Sequence, residues 1–218
     1  MKTIARYLTI AVLLLPIFAH ADGEKRIEIE QSVEPIEERS YLAIDSDIPF
    51  HEPNQGKWWG DLPLIYYPAS VHWITQISAL GNSLELEDGS VWTGETAEAL
   101  TWKSTDPLFI TQNWTWFSSY TFKIINKVTG TLVPVNLKLG PYESSSYTHF
   151  ISIIDKARGE LALSDSSNWQ VCPSDTKEFN QWSEDQAIII GVNSGWQSSF
   201  DILLINVNRN KFVRAKQF

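Results

Sequence analysis

The chain has 218 residues, with 26 Asp and Glu against 17 Lys and Arg, and a formal net charge of −9. This acidity disfavours binding to nucleic acids and anionic membrane surfaces, because both carry negative charge. Cys172 is the only cysteine, so the chain can form no intramolecular disulfide and its stability must come from a hydrophobic core.

Residues 1–21 have the three parts of a secretory signal peptide. Two basic residues precede an apolar run over residues 8–18, and Ala19-His20-Ala21 has the small residues of a cleavage site. Cleavage between Ala21 and Asp22 would remove both basic residues and change the formal charge from −9 to −11. The apolar run is too short to span a bilayer. No later segment approaches the roughly eighteen apolar residues that a membrane-spanning helix needs. The sequence therefore predicts export to the periplasm or the cell exterior.

Residues 22–70 form an acidic leader that prolines interrupt at Pro35, Pro49 and Pro53. This composition predicts a largely irregular segment with little fixed structure. The alternation Ile27-Glu28-Ile29-Glu30 offers an alternative, in which a short strand adds to a sheet edge and gives the leader a binding role.

The second half of the leader contains Trp58 and Trp59, which are flanked by Lys57 and Gly60. Paired exposed indoles can stack against a sugar ring or a partner's side chain. The alternative is that they pack into the seam between the leader and the first folded module.

The rest of the chain is predicted to contain one β unit twice, over residues 71–137 and 148–218, with a linker at 138–147. In the first copy, leucines alternate with glutamates before Asp88-Gly89 and Trp92. The second copy has the same alternation before Asp165 and Trp169. Asp-Gly favours a tight two-residue hairpin, whereas the second copy lacks the glycine, so we expect a looser or longer turn there.

Alternating apolar residues and turn signals predict six short strands in each copy and one short helix within residues 94–106. The predicted strands are Val71–Ser78, Ser83–Glu87, Ser90–Thr93, Leu108–Gln112, Tyr120–Asn126 and Leu132–Asn136, then Thr148–Asp155, Glu160–Ser164, Asn168–Cys172, Ala187–Val192, Ser199–Asn206 and Phe212–Lys216.

The motif Trp73-Ile74-x-x-Ile77, then Leu84-x-Leu86-x-Asp88-Gly89-Ser90-x-Trp92, then Ile125-Asn126-x-x-Thr129-Gly130 resembles the SH3-like barrel repeats of uncharacterised exported bacterial proteins. The resemblance covers residues 71–218 in two copies. It implies an all-β fold of two tandem small SH3-like barrels behind the signal peptide and the leader. A fold of this kind says nothing about activity.

The catalytic candidates are His72 and His149, with Asp88 and Asp165 as possible orienting groups. On strands of this pattern both histidines are expected to lie outward, next to solvent. The chain has no nucleophile motif. We therefore assign no catalytic residue, with a hydrolase that uses these histidines as a third alternative.

No metal or cofactor is predicted. Four histidines, one of them in the signal peptide, and one cysteine give no closed ligand set. The chain also has no glycine-rich phosphate loop.

Tryptophans that recur in both copies are predicted to fill cores: Trp92, Trp102, Trp116, Trp169, Trp182 and Trp196. Separate cores would let Trp92→Ala or Trp169→Ala destabilise one half alone. The tryptophans that do not recur, Trp58, Trp59 and Trp114, are the candidate binding residues.

Two functions follow from these observations. The first is a non-enzymatic module that binds or supports another envelope protein. The alternative is a module that binds cell-wall glycan through Trp58, Trp59 and Trp114.

Overall fold

The computed structural model describes residues 25–29, 41–43, 68–115, 117–194 and 199–218. The predicted cleavage site at Ala21 and Asp22 and the tryptophans Trp58, Trp59, Trp116 and Trp196 lie outside these ranges. No helix within them is long and apolar enough to cross a membrane.

The described chain is mostly β, as predicted. Its strands are β1 Tyr41–Ala43, β2 Ile74–Ser78, β3 Ser83–Leu86, β4 Val91–Gly94, β5 Leu108–Gln112, β6 Phe122–Asn126, β7 Leu132–Leu139, β8 His149–Asp155, β9 Glu160–Leu163, β10 Asn168–Val171, β11 Ala187–Val192, β12 Ile202–Asn206 and β13 Lys211–Gln217. The helices are short: 3₁₀ turns at Pro68–Ser70, Ala97–Thr101 and Pro173–Asp175, and α1 at Thr176–Phe179.

The strands form an N-terminal sheet, in the order β1-β2-β3-β4-β7-β6-β5, and a closed C-terminal barrel, in the order β10-β13-β12-β11-β8-β9. Without β1, the N-terminal order is β2-β3-β4-β7-β6-β5. The closed barrel, read from β8, has the equivalent order β8-β9-β10-β13-β12-β11. The start of the N-terminal sheet meets its last strand through an isolated bridge, where His72 and Leu108 exchange two backbone hydrogen bonds of 2.9 Å. The barrel closes at the matching place, where His149 pairs with Ile188.

The hairpin turns of the two units are alike, contrary to both sequence predictions about them. In the first, Leu86 N–H donates to Ser90 across a three-residue loop, and in the second Leu163 N–H donates to Ser167 across a loop of the same length. Gly89 takes the positive φ in the first, at 87°, and Ser166 takes it in the second, at 67°. The second turn has the same form without a glycine because Ser166 adopts the left-handed conformation, which is energetically unfavourable for serine.

This cost predicts that Ser166→Gly stabilises the protein. Removing the side chain relieves the left-handed strain, which outweighs the greater freedom of glycine in the unfolded chain, for a net gain of about 0.5 to 1 kcal/mol. Urea denaturation measures the change. Gly89→Ala is the opposing control, because its new Cβ would lie 2.1 Å from the Tyr142 ring and must destabilise. A Ser166→Gly variant less stable than the wild type would contradict the prediction.

The four recurring tryptophans that the structure describes lie in the cores, as predicted. Trp92 and Trp169 have no exposed surface. Each indole N–H donates to the hydroxyl of the serine two residues earlier, Ser90 at 2.9 Å and Ser167 at 2.7 Å. Burying an indole with its N–H paired avoids the penalty of an unsatisfied donor. Trp102 and Trp182 are buried as well.

The barrel has a core of its own, and the outer face of two of its strands packs into the core of the N-terminal sheet. Along β11, Ile188 and Ile190 point into the barrel, whereas Ala187 and Ile189 pack against the core of the N-terminal sheet. β12 alternates in the same way. At Gly191, β11 lies so close to β5 of the N-terminal sheet that a Cβ would be 2.4 Å from the Ile110 carbonyl oxygen. Both faces of these strands are buried, and the strands therefore couple the two units.

Residues 25–29 and 41–43 of the leader contact the rest of the fold. Most of the leader lies outside the described residues, so a largely irregular leader stays a prediction. Ile27 is buried, and its N–H donates to the Pro141 carbonyl at 2.8 Å. Arg26 lies over the Tyr142 ring, 4.0 Å from its centre, and donates to the Gly89 carbonyl. Residues Tyr41–Ala43 pair with β2. An added strand is thus found at 41–43, whereas no strand is present at 27–29, the described part of the predicted alternation.

The segment predicted as a linker, 138–147, is also part of the fold. Its first two residues belong to β7, which ends at Leu139. Tyr142 forms a β-bridge with Arg26 of the leader. A Cβ at Gly140 would lie 2.3 Å from the Ile27 carbonyl oxygen. This segment therefore provides the surface on which the leader packs.

Candidate binding site

A groove of about 370 Å³ lies beside the loop that joins β5 to β6. Its wall contains aromatic and apolar side chains together with amide and hydroxyl groups. The lining residues are Glu95, Asn113, Thr115, Phe117, Ser118, Ser119, Tyr120, Lys123, Leu132 and Pro134. A concave surface of this mixed character is typical of ligand sites, where apolar groups supply contact area and a few polar groups fix orientation.

Hydrogen bonds hold the loop in one shape. The Asn113 amide group donates to Ser118 Oγ at 2.9 Å and to the Tyr120 carbonyl at 3.1 Å. From β7, Asn136 accepts from the Thr121 N–H at 2.8 Å and donates to the Ser119 carbonyl at 3.0 Å. A loop pre-organised in this way loses little entropy on binding.

Two aromatic side chains project from this loop into solvent. Trp114 is 60% exposed, and Phe117 is fully exposed. Phe117 also has a φ of 73°, which is uncommon for a bulky residue. Strained backbone of this kind is found preferentially at binding and catalytic sites. The outward position of Trp114 agrees with the sequence prediction, and Phe117 was not singled out there.

The groove has one charged residue of each sign, Glu95 and Lys123. Lys123 is partly buried, and this burial lowers the pKa of its ammonium group. The charges leave the groove close to neutral, so its recognition must rest mainly on aromatic contact and on neutral hydrogen bonds.

His72 lies in the seam between the two units, which overturns its predicted position next to solvent. It is only 4% exposed. Its Nδ1 lies 2.7 Å from Glu87 Oε1, and its Nε2 lies 2.9 Å from the Ile190 carbonyl oxygen of the barrel. Burial lowers the pKa of His72, but the charge and hydrogen bond of Glu87 outweigh it and raise the pKa to about 9. Both ring nitrogens therefore donate, and the imidazolium links the units.

His149 and the two aspartates have different environments. The Nδ1 of His149 lies 3.5 Å from Asp165 Oδ2, the pairing that the sequence suggested. Burial lowers the pKa of His149, with Asp165 opposing this shift. Asp88 instead caps its own turn through the Ser90 N–H at 2.7 Å, and burial followed by the charge of Glu87 raises its pKa to about 6. Glu87, not Asp88, is the orienting partner of His72.

These groups do not form a catalytic arrangement. His72 is enclosed and has both ring nitrogens engaged, so it has no free position from which to act on a substrate. Within the ranges that the structure describes, no three His, Cys, Asp or Glu side chains are grouped to hold a metal ion.

The protein is thus mostly β, with a concave surface lined partly by aromatic side chains. No protein-family model, curated protein or solved structure matches the chain.

Proposed function

We propose that this chain is an exported, non-enzymatic binding module, built from two SH3-like units, whose β5–β6 loop recognises another protein of the cell envelope. The observation that carries the proposal is the fully exposed Phe117, held at a φ of 73° beside the groove. Exposed apolar side chains that lie close together mark interaction sites, and Trp114 projects from the same loop as Phe117. Tryptophan and tyrosine anchors, surrounded by polar groups, dominate the energetics of protein interfaces.

Export rests on residues 1–21 and on the cleavage site between Ala21 and Asp22. The SH3-like assignment is supported by six short antiparallel strands that pair in the same order in both units.

Removing the two aromatic side chains that project from the loop tests whether this region binds a partner protein. Trp114→Ala with Phe117→Ala is expected to abolish partner binding and to change the free energy of unfolding by no more than about 0.5 kcal/mol, because both side chains are exposed. The matched control is Leu80→Ala with Val128→Ala, which removes two exposed apolar side chains elsewhere. A photo-reactive amino acid placed at Ser119, in the groove wall, reports the partner directly in cells. Equal cross-linking in the wild type and the Trp114, Phe117 double variant would contradict the proposal.

Cell-wall glycan is the second candidate ligand. It is favoured by the hydroxyl groups of Thr115 and Ser118, which lie beside an aromatic surface. Sedimentation with purified, protein-free sacculi separates the candidates. Retention that disappears in the Trp114, Phe117 double variant would assign the groove to glycan and overturn the protein ligand.

A further inference from the structure

Among the residues that the structure describes, no strand pairs with the outer edge of the second half of β8 in the C-terminal barrel. At the start of the strand, His149 and Phe150 pair with β11, and Ile151 exchanges backbone hydrogen bonds with Gln186 and Asp185 at 3.0 and 2.9 Å. Beyond Ile151, the described pairings of β8 are with β9 alone. Ile153 is 62% exposed at this edge.

The same edge is covered in the N-terminal sheet. There β1 adds antiparallel to the second half of β2, with Tyr41 opposite Ser78, Leu42 opposite Ile77 and Ala43 opposite Gln76. The two edges are equivalent, because β2 and β8 have an irregularity at the same point, between Ile74 and Gln76 and between Ile151 and Ile153. The residues of β8 that match 76–78 are therefore 153–155.

We propose that the edge of β8 over residues 153–155 is a docking site for an extended segment of a partner protein, which adds to the barrel as an antiparallel strand. The N-terminal sheet provides the precedent within the same chain, because the leader strand occupies the equivalent position. Main-chain hydrogen bonds give affinity in this mode of recognition, and alternate side chains give specificity. An uncovered edge with an exposed isoleucine is also a site of uncontrolled pairing, which proteins normally block.

The residues of the edge define the chemistry of the segment. An apolar residue belongs opposite Ile154, as Leu42 lies opposite Ile77. A β-branched residue suits the position opposite Ile153, because such pairs stabilise neighbouring strands. A basic residue suits the position opposite Asp155, and the net charge of −9 favours a basic segment during approach. The antiparallel direction gives the order basic, apolar, β-branched.

This site lies on the C-terminal barrel, whereas the groove lies on the N-terminal sheet. The proposal does not depend on what the groove binds, and none of the variants below touches the groove.

A synthetic peptide tests the site on the full chain beginning at Asp22. The probe has the sequence of residues 39–46 with Tyr41→Lys and Ala43→Val, and its binding is followed by fluorescence anisotropy. Ile153→Lys is expected to weaken binding by at least about tenfold, because lysine on a strand edge repels the basic segment and removes the apolar contact. Val128→Lys is the matched control, since it replaces another exposed apolar residue and should bind as the wild type does.

Two further measurements locate the contact. A peptide with an N-methyl group at the residue equivalent to Leu42 keeps its side chains but loses a ladder hydrogen bond, and it should bind more weakly. Hydrogen exchange should slow at residues 153–155 when the probe is present. The proposal is overturned by absence of binding, by equal binding to the Ile153→Lys variant, or by protection at residues 76–78 instead. Self-association that Ile153→Lys abolishes would also overturn it, because the occupant would then be a second copy.

Discussion

Trp169→Ala is expected to lower the free energy of unfolding by about 3 to 5 kcal/mol, the range for removing a large aromatic side chain from a packed core. Trp169 has no exposed surface, and its indole N–H is paired with Ser167. The change therefore leaves a cavity and removes the hydrogen bond that the Ser167 hydroxyl accepts, while its bond to Asp165 remains. Trp92→Ala should have a similar effect, because Trp92 has the equivalent contact with Ser90 and also packs edge-on against Phe122, with ring centres 5.5 Å apart.

Each variant is expected to unfold in one transition rather than two. The outward faces of β11 and β12 belong to the core of the N-terminal sheet. Losing either unit would therefore expose apolar surface of the other. Urea denaturation followed by circular dichroism and by tryptophan fluorescence measures this, since coincident curves indicate a single transition.

Trp114→Ala is the matched control, because it removes a tryptophan that is 60% exposed. Its stability should stay within about 0.5 kcal/mol of the wild type. A Trp169→Ala variant with two separate transitions, one of them unchanged from the wild type, would contradict the coupling of the units.

His72→Ala is expected to destabilise the protein by about 3 to 5 kcal/mol, the range for breaking a buried ion pair by removing one partner. Glu87 would remain buried without its imidazolium, and the link to the Ile190 carbonyl would be lost. His149→Ala is the matched control, with a smaller expected effect because Asp165 stays partly exposed to water. Equal losses in the two variants would contradict a special role for His72.

The buried pair of His72 and Glu87 also makes the stability of the protein depend on pH. The pKa of His72 is raised from 6.5 to about 9, so the folded protein holds the proton more tightly than the unfolded chain does. The stability that it contributes is complete below pH 6.5 and is lost as the pH rises through about 9. Asp88 acts in a lower window, where its raised pKa lowers stability as the pH rises from 3.8 through about 6.

Denaturation at a series of pH values separates the two groups. Between pH 6.5 and 9 the wild type should lose stability progressively, whereas the His72→Ala variant should show a much flatter profile. A wild-type profile that rises over this interval would contradict the protonated state assigned to His72.

The local patterns in the sequence predicted the strands well because each is a short β-favouring run, either alternating or continuously apolar, bounded by turn residues. The predicted segment at Ala187–Val192 coincides with β11, and that at Leu108–Gln112 coincides with β5. The burial of Trp92 and Trp169 also followed from their recurrence. Trp114 was separated from them because it does not recur, and it is exposed.

The sequence did not predict the form of the second hairpin turn or the burial of His72. Ser166 adopts a conformation that composition assigns to glycine, because the flanking strands hold the turn closed. His72 was expected in solvent because alternation along one strand separates two faces without indicating what covers the outer one. In the folded protein, β11 of the other unit covers it.

The sequence by itself determined most of the strands, the repetition of the β unit and the core tryptophans Trp92, Trp102, Trp169 and Trp182, because these depend on patterns within a few residues. Only the tertiary structure decided the order in which the strands pair, that the units share a face, that Arg26 and Ile27 contact the 138–147 segment, and that no described strand covers the end of β8. These features arise from contacts between residues far apart in the chain, and such contacts leave no local pattern.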